Sequence, residues 1–301
     1  MIYFRHVGMA SLIAVAVLLC ASALQSAWGE PAGGPAKKPE GPTCNRAAFR
    51  VIVDVGHTAK APGATSARGV MEYEFNLRLA KLIEQRLIDA GFGKTILLVT
   101  DGPKMKGLAQ RVARANGSSA DLLLSIHHDS VPDSFLETWE FEGTKHHFSD
   151  RFKGHSIFVS RDNGDSKGSL QFAKLLGNQL QARGLQYTPH YTEKFMGHRR
   201  RELVDAETGV YRYDQLIVLK DTRMPAVLLE AGSIINREEE LLLGSAERQS
   251  LVSAAVLDAV ETFCALRPPR IPDRVARQPG APTKTTIQPA AARPANSTKP
   301  R

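Results

Sequence analysis

The sequence of 301 residues lacks several patterns that would assign a function directly. With only three cysteines, it has no paired Cys/His spacing of a zinc finger, and it has no aromatic-basic strand of an RNA-binding domain. No His-Glu-x-x-His segment and no internal repeat are present either. The formal net charge is +8, but much of it lies near the two ends of the chain. We therefore expect no nucleic-acid partner.

The only long apolar run lies near the N-terminus. A basic start, an apolar run from about Met9 to Leu24 and the small residues that follow predict a signal peptide over residues 1–29. Cleavage after Ala23 and cleavage after Gly29 both fit. The alternative is an uncleaved anchor, but a run of roughly sixteen residues is short for a membrane span. The sequence predicts an exported protein of the periplasm or cell wall, with no stable membrane span after signal removal.

Composition divides the remaining chain into three parts. Residues 30–44 form a Pro/Gly-rich linker, and residues 265–301 form a tail rich in Pro, Ala and basic residues that cannot bury a core and should be disordered. The catalytic domain is therefore expected at 45–264. Cys44 and Cys264 flank it almost end to end, which in an exported protein predicts a disulfide. The alternative is two free thiols.

Strand and helix patterns alternate within 45–264. The predicted strands are 50–55, 95–100, 121–127, 155–160, 215–220 and 226–230, and the predicted helices are 72–90, 106–116, 167–183 and 237–264. Residues 132–153 read as an inserted loop or hairpin, and 185–209 has no strong pattern. This alternation predicts an α/β fold, a single catalytic domain with a mainly parallel twisted sheet and helices on both faces.

Reactive side chains follow the apolar runs at three predicted strand ends. His57, His127 and Glu230 occupy these positions, and Glu72 begins the first predicted helix. Because ligands gather beyond the carboxyl ends of parallel strands, we expect these groups to converge. His57, Glu72 and His127 would supply the three protein ligands of a catalytic zinc site. Glu230 suits the general base and acid that moves the proton from water to a leaving amine.

Each of these residues also has a simpler interpretation. His57 could cap a turn, Glu72 could stabilise the helix dipole, and Glu230 could pair with Arg68 or Arg223. Spacing alone is weak evidence for a metal site. The arrangement favours one because three separate strands deliver a reactive residue at the same end.

Several segments occur in the order of a known family. They are residues 53–57, Glu72 with Asn76-Leu77, Arg111 with Ala115-Asn116, residues 125–127, Val218-Leu219, and residues 224–232 with Asn236. On these segments, residues 50–262 resemble the zinc-dependent N-acetylmuramoyl-L-alanine amidases, a group that includes the periplasmic cell-division amidases. The resemblance implies Zn²⁺ on His57, Glu72 and His127, catalysis by Glu230, peptidoglycan as substrate and a protein activator as partner.

The chain departs from this family pattern at several points. Thr58-Ala59 replaces a common pair of glycines, which should stiffen the first loop. His128 stands where a small residue is usual; it could bind substrate, but we expect it to be a bystander or to lie beside the ligands. Glu207-Thr208-Gly209 replaces Asn-Arg-Gly, and the insertion at 132–153 is longer than a minimal version needs. No pattern locates the helix that blocks the site in some division amidases.

Two further questions stay open, namely the role of one basic segment and the reaction itself. The basic run at 198–201 is either a solvated face or a contact for the carboxylates of stem peptides. The activity could instead belong to another exported zinc peptidase that cuts within stem peptides. A catalytically inactive peptidoglycan-binding protein is the third alternative, and the presence of Glu230 argues against it.

Overall fold

Four β-branched residues and Asp54 form the first central strand, β1 (Val51–Val55), which is buried at every position. The computed structural model describes residues 43–267. The predicted signal peptide and nearly all of the predicted linker and tail lie outside the described residues. The strands that follow are β2 (Ile96–Leu98), β3 (Leu122–Asp129), β4 (Glu137–Phe141), β5 (Thr144–Phe148), β6 (Ser156–Val159), β7 (Glu202–Asp205), β8 (Val210–Arg212) and β9 (Ala226–Ser233). The helices are α1 (Glu72–Asp89), α2 (Lys104–Gly117), α3 (Ser166–Gln181), α4 (Ile217–Lys220), α5 (Arg237–Gly244) and α6 (Ala246–Leu266).

Seven strands form the main sheet in the order β2-β1-β3-β9-β6-β8-β7. Strands β2, β1, β3 and β9 are mutually parallel, while β9 pairs with β6, and β8 with β7, in antiparallel fashion. The predicted α/β fold with a mainly parallel sheet is confirmed. The site described below belongs to the parallel part.

Each central strand contributes to two cores because successive side chains point to opposite faces of a sheet. Val51, Val53 and Val55 pack with α1, α3 and α6, whereas Ile52 packs on the other face with residues of α2 and α4. This explains why the strands are continuous apolar runs. The long apolar helix α6 is a core helix: its Val256, Val260 and Phe263 are fully buried in the first of these cores, although its length and composition would also suit a membrane span.

The inserted segment forms a hairpin. Strands β4 and β5 pair in antiparallel register across a two-residue turn, Glu142-Gly143, in which both residues have positive φ. Such turns match the twist of the strands they join. Trp139 fixes the hairpin to the domain by donating its indole N–H to the carbonyl of Ala67 at 2.8 Å. The expectation of a loop or hairpin at 132–153 is confirmed.

One predicted strand is wrong. Residues 215–220 do not extend; 217–220 form the short helix α4, in which Lys220 donates its backbone N–H to the carbonyl of Leu216 at 2.9 Å. Val218 and Leu219 are buried against the sheet. A short apolar run gives a strand and a buried helical turn the same pattern, so periodicity does not separate them. Strands β7 and β8 were not predicted.

The two ends of the described domain are joined covalently. Cys44 and Cys264 form a disulfide across 220 residues of sequence, with their Cα atoms 5.1 Å apart. The expectation of a bridge, rather than two free thiols, agrees with this structure.

Candidate active site

Parallel strand pairing brings the reactive side chains to one edge of the sheet. His127 of β3 lies directly opposite Glu230 of β9, and His57 follows the end of β1. Glu72 arrives from the first turn of α1, which begins just after the loop that follows β1. The side chains that the sequence predicted to converge therefore meet.

The two histidines and Glu72 form a tight group. Glu72 Oε2 lies 3.0 Å from His57 Nε2, and Glu72 Oε1 lies 3.0 Å from His127 Nδ1. One ligand atom from each residue can be chosen so that all lie within 4.8 Å of one another. Bonds of about 2 Å in a tetrahedral site place ligand atoms roughly 3.3 Å apart, so the three residues must draw slightly together to hold one ion, and their ligand types suit Zn²⁺. The His57 and His127 side chains are 24% and 17% exposed, which leaves one side open.

Glu72 is buried yet held in its charged form. Burial alone would raise the pKa of its carboxyl, but hydrogen bonds with His127 and His57 hold that pKa well below its usual range. The backbone N–H of Ala64 also donates to Glu72 Oε2 at 3.1 Å. A carboxylate fixed between two imidazoles is prepared to bind a cation.

A buried ion pair holds the His57 loop in place. Arg111 donates from Nε to Asp54 at 2.8 Å, and Ser125 donates its hydroxyl to the other oxygen of Asp54 at 2.6 Å. The same guanidinium donates to the carbonyls of Val55 and His57. His57 has φ +66°, an uncommon value for a residue other than glycine. The guanidinium therefore stabilises a strained backbone that orients the His57 ring.

His128 lies beside the ligand group and donates its backbone N–H to Glu72 Oε1 at 3.3 Å. It is buried, its Nδ1 lies 2.8 Å from Asn76 Oδ1, and burial lowers its pKa to about 3. Asn76 in turn donates to Glu72 Oε1 at 3.1 Å and to the Gly56 carbonyl at 3.3 Å. His128 thus orients the amide that orients Glu72, consistent with the expectation of a residue beside the ligands.

Glu230 is partly buried and has no ionic partner among the described residues. Its Oε2 has no hydrogen-bond partner, and within residues 43–267 it forms no ion pair. Burial raises its pKa well above the usual range, and the nearby charges of Asp129 and Glu72 add to this effect. Arg68 instead pairs with Glu240 at 2.6 Å, so the alternative pairing of Glu230 with Arg68 is wrong. No pair with Arg223 is formed either.

Three residues beside Glu230 were not predicted. Tyr191 donates its hydroxyl to both carboxylate oxygens of Asp129, at 2.8 and 2.9 Å, and burial raises the pKa of Asp129 to about 6. Arg199 donates to the Ser130 carbonyl at 2.8 Å. Asp129 could have been found, because it follows His127-His128 at the end of β3. Tyr191 has no such signal, and Arg199 was considered only as part of the basic run.

A cavity of about 600 Å³ joins these groups. Its lining includes the three ligand residues, Asp129, Tyr191 and Glu230, and it continues along Arg199, Arg201 and Tyr213. Volume and lining suit a ligand of several residues' length.

Sequence comparisons agree with the geometry. The family model for N-acetylmuramoyl-L-alanine amidase matches residues 51–262. The N-acetylmuramoyl-L-alanine amidase AmiA of Escherichia coli is 24% identical over 224 residues, which are 71% of this chain and 75% of that protein. A putative N-acetylmuramoyl-L-alanine amidase of Buchnera aphidicola subsp. Baizongia pistaciae is 23% identical over 216 residues, which are 71% and 95% of the two chains.

Solved structures share the fold. Ami1 of Mycobacterium smegmatis has a TM-score of 0.56 and 20% identity, over 74% of this chain and all of that one. The catalytic domain of CwlV from Bacillus (Paenibacillus) polymyxa var. colistinus has a TM-score of 0.52 and 25% identity, over 73% and 99% of the two chains. The resemblance found in the sequence is confirmed, and with it peptidoglycan amide hydrolysis as the function. The chain belongs to the N-acetylmuramoyl-L-alanine amidase family.

Proposed function

We propose that this protein hydrolyses the amide bond between N-acetylmuramic acid and L-alanine in peptidoglycan as a zinc enzyme. The observation that carries the proposal is a group of three possible metal ligands beside the Glu230 carboxylate, whose Oε2 is buried and has no hydrogen-bond partner. Zn²⁺ held by His57, Glu72 and His127 would lower the pKa of bound water toward neutrality and polarise the scissile carbonyl.

Glu230 would carry the proton in this reaction. It accepts the proton of the attacking water and returns it to the nitrogen of the leaving L-alanine, which departs as a neutral amine. Its raised pKa suits both halves of the task, because the group holds a proton readily without being a strong acid. Asp129 and Arg199 act on the same carboxyl with opposite charges and so adjust how tightly the proton is held.

The setting of the reaction follows from its substrate. Peptidoglycan lies outside the cytoplasm, so the proposal includes export by the signal peptide at 1–29 and action in the periplasm or cell wall. A protein activator is part of the proposal as well. It is supported by a structural relative, the CwlD amidase from Clostridioides difficile, which was solved in complex with the GerS lipoprotein.

Digestion of purified sacculi tests the function. The full-length protein, loaded with zinc, should release intact stem peptides with a free L-alanine N-terminus, identified by mass spectrometry. Fragments cut within the stem would show the other exported peptidase instead. The matched variant Glu230→Gln should retain bound zinc and sacculus binding but lose activity by about 10²–10⁴-fold. Binding without release by the wild-type protein would show an inactive binding protein.

A further inference from the structure

Positive side chains line the cavity beyond Glu230. Lys104, Arg111, Arg199 and Arg201 all contribute to the wall. Arg111 is neutralised by Asp54 at 2.8 Å. The charge of Arg199 lowers the pKa of Asp129 and of Glu230, and its guanidinium donates to the Ser130 carbonyl. The charge of Arg201 has no such counterpart, because no carboxylate of residues 43–267 lies within ion-pair distance of it.

The Arg201 guanidinium is fixed in place. It lies 3.8 Å from the centre of the Tyr213 ring, and its Nη1 donates to the carbonyls of His198 and Arg200 at 2.9 and 2.8 Å. Its Nε is buried and has no acceptor among the described residues. Its Nη2 donates to no acceptor among the described residues and is not buried, so a ligand in the cavity can accept a hydrogen bond from it. A guanidinium that is already held against an aromatic ring loses little conformational entropy when it binds an anion.

The surroundings of Arg201 strengthen any charge interaction. The same part of the wall contains Tyr213, Leu216 and Val218, which form an apolar face. Electrostatic attraction is stronger beside apolar atoms than in open water. A carboxylate is the ligand whose shape and charge match the unsatisfied guanidinium.

We propose that Arg201, stacked on Tyr213, binds a free carboxylate of the stem peptide and thereby selects the substrate. This inference rests on the proposed function, because the ligand of Arg201 is taken to be the stem peptide that the reaction releases. A carboxamide has nearly the same shape but no charge, so the site distinguishes a free carboxyl from its amide. Arg201 is a specificity-determining residue and takes no part in proton transfer.

Two soluble substrates that differ in one group test the inference. Both are N-acetylmuramoyl-L-alanyl-D-glutamic acid with the γ-carboxyl blocked as a methylamide; one has its α-carboxyl free, and the other has it as a carboxamide. The wild-type protein should show at least a tenfold higher kcat/KM for the carboxylate. Arg201→Gln should lower kcat/KM for the carboxylate about tenfold through KM, leave kcat within twofold, and leave the carboxamide unchanged.

Two variants control for charge and for folding. Arg200→Gln should change neither substrate, because Arg200 donates to the Thr192 carbonyl and does not line the cavity. Arg201→Lys keeps the charge without the fork and should retain part of the preference. An equal loss on both substrates in Arg201→Gln, or no preference in the wild-type protein, would overturn the inference.

Binding without turnover separates this inference from the proposed function. Calorimetry on the Glu230→Gln protein should show at least tenfold tighter binding of the carboxylate compound, and Arg201→Gln in that background should abolish the difference. If the wild-type protein cleaves neither compound while this binding preference persists, the proposed function fails and the inference stands. Equal or absent binding of both compounds overturns the inference.

Discussion

Gly63 lies so close to Glu72 that a β-carbon placed on it would be 2.3 Å from Glu72 Oε2. The same β-carbon would lie 2.7 Å from the His57 ring, and Gly63 has φ +84°. No side chain fits between the loop and the two ligands. The backbone at this glycine therefore forms one wall of the candidate metal site.

We predict that Gly63→Ala weakens zinc binding at least tenfold, because the methyl group displaces two ligands. Gly184→Ala is the matched control: Gly184 has φ +77°, and a β-carbon there would meet nothing within 4 Å. Both variants should lose about 1 kcal/mol of stability from the positive φ. Competition with a chelator measures the affinity, and equal zinc affinity in the two variants would contradict the prediction.

The carbonyl of His57 is held by Arg111, and we predict that Arg111→Lys lowers zinc affinity by about 10–100-fold. Lysine cannot bond Asp54 and two backbone carbonyls in the geometry of a guanidinium. Arg114→Lys is the control, since Arg114 lies on the same helix, is exposed and donates only to the Val99 carbonyl. Chelator competition and circular dichroism check that affinity changes while the fold persists. An unchanged affinity would show that the loop keeps its shape without this contact.

His155 makes the domain sensitive to acid. Burial lowers its pKa from 6.5 to about 4, and the charge of Arg248 acts in the same direction. Between these two pH values the unfolded chain binds a proton that the folded one does not, so stability is present above pH 6.5 and is lost as the pH falls to 4. The loss attributable to His155 is about 3 kcal/mol.

His155→Leu should remove that part of the acid sensitivity. In metal-free protein, the free energy of unfolding should fall by about 3 kcal/mol less for the variant than for the wild type between pH 7.5 and pH 4. Urea titrations at the two pH values measure the difference. The exposed His147→Leu should behave as the wild type, and parallel pH curves for His155→Leu and the wild type would refute the prediction.

The disulfide should matter for stability and not for chemistry. Reduction of Cys44–Cys264, which closes a segment of 220 residues, should lower the free energy of unfolding by about 2–4 kcal/mol and leave sacculus digestion at 25 °C unchanged. Thermal unfolding with and without reductant measures this. A Cys44→Ser/Cys264→Ser variant should have the unfolding midpoint of the reduced protein, and reductant should not change that midpoint. If reductant shifts the midpoint of that double variant equally, the effect does not come from this bond.

The sequence predicted the part of the site that lies on regular elements. His57 follows β1, and His127 and Glu230 lie directly opposite each other in the C-terminal halves of β3 and β9, so parallel pairing brings the three together. Glu72 was found because it begins an amphipathic helix and matches a family segment. These four positions depend on patterns that a single sequence displays.

The other wall of the site could not be predicted in the same way. Tyr191, Arg199 and Arg201 come from the segment at 185–209, which has no period of 2 or 3.6 and folds as short 3₁₀ turns followed by β7. Such a segment is placed by tertiary contacts, for example the Tyr191 hydroxyl on Asp129. The antiparallel insertion of β6 beside β9 is likewise a matter of topology that strand patterns do not reveal.

Because Cys44 and Cys264 are adjacent, the polypeptide enters and leaves the catalytic body at a single spot. A partner that binds either flanking segment is therefore attached to the domain at the same point. If both flanking segments were held, a force between them would pass through the disulfide and would bypass the strands of the sheet.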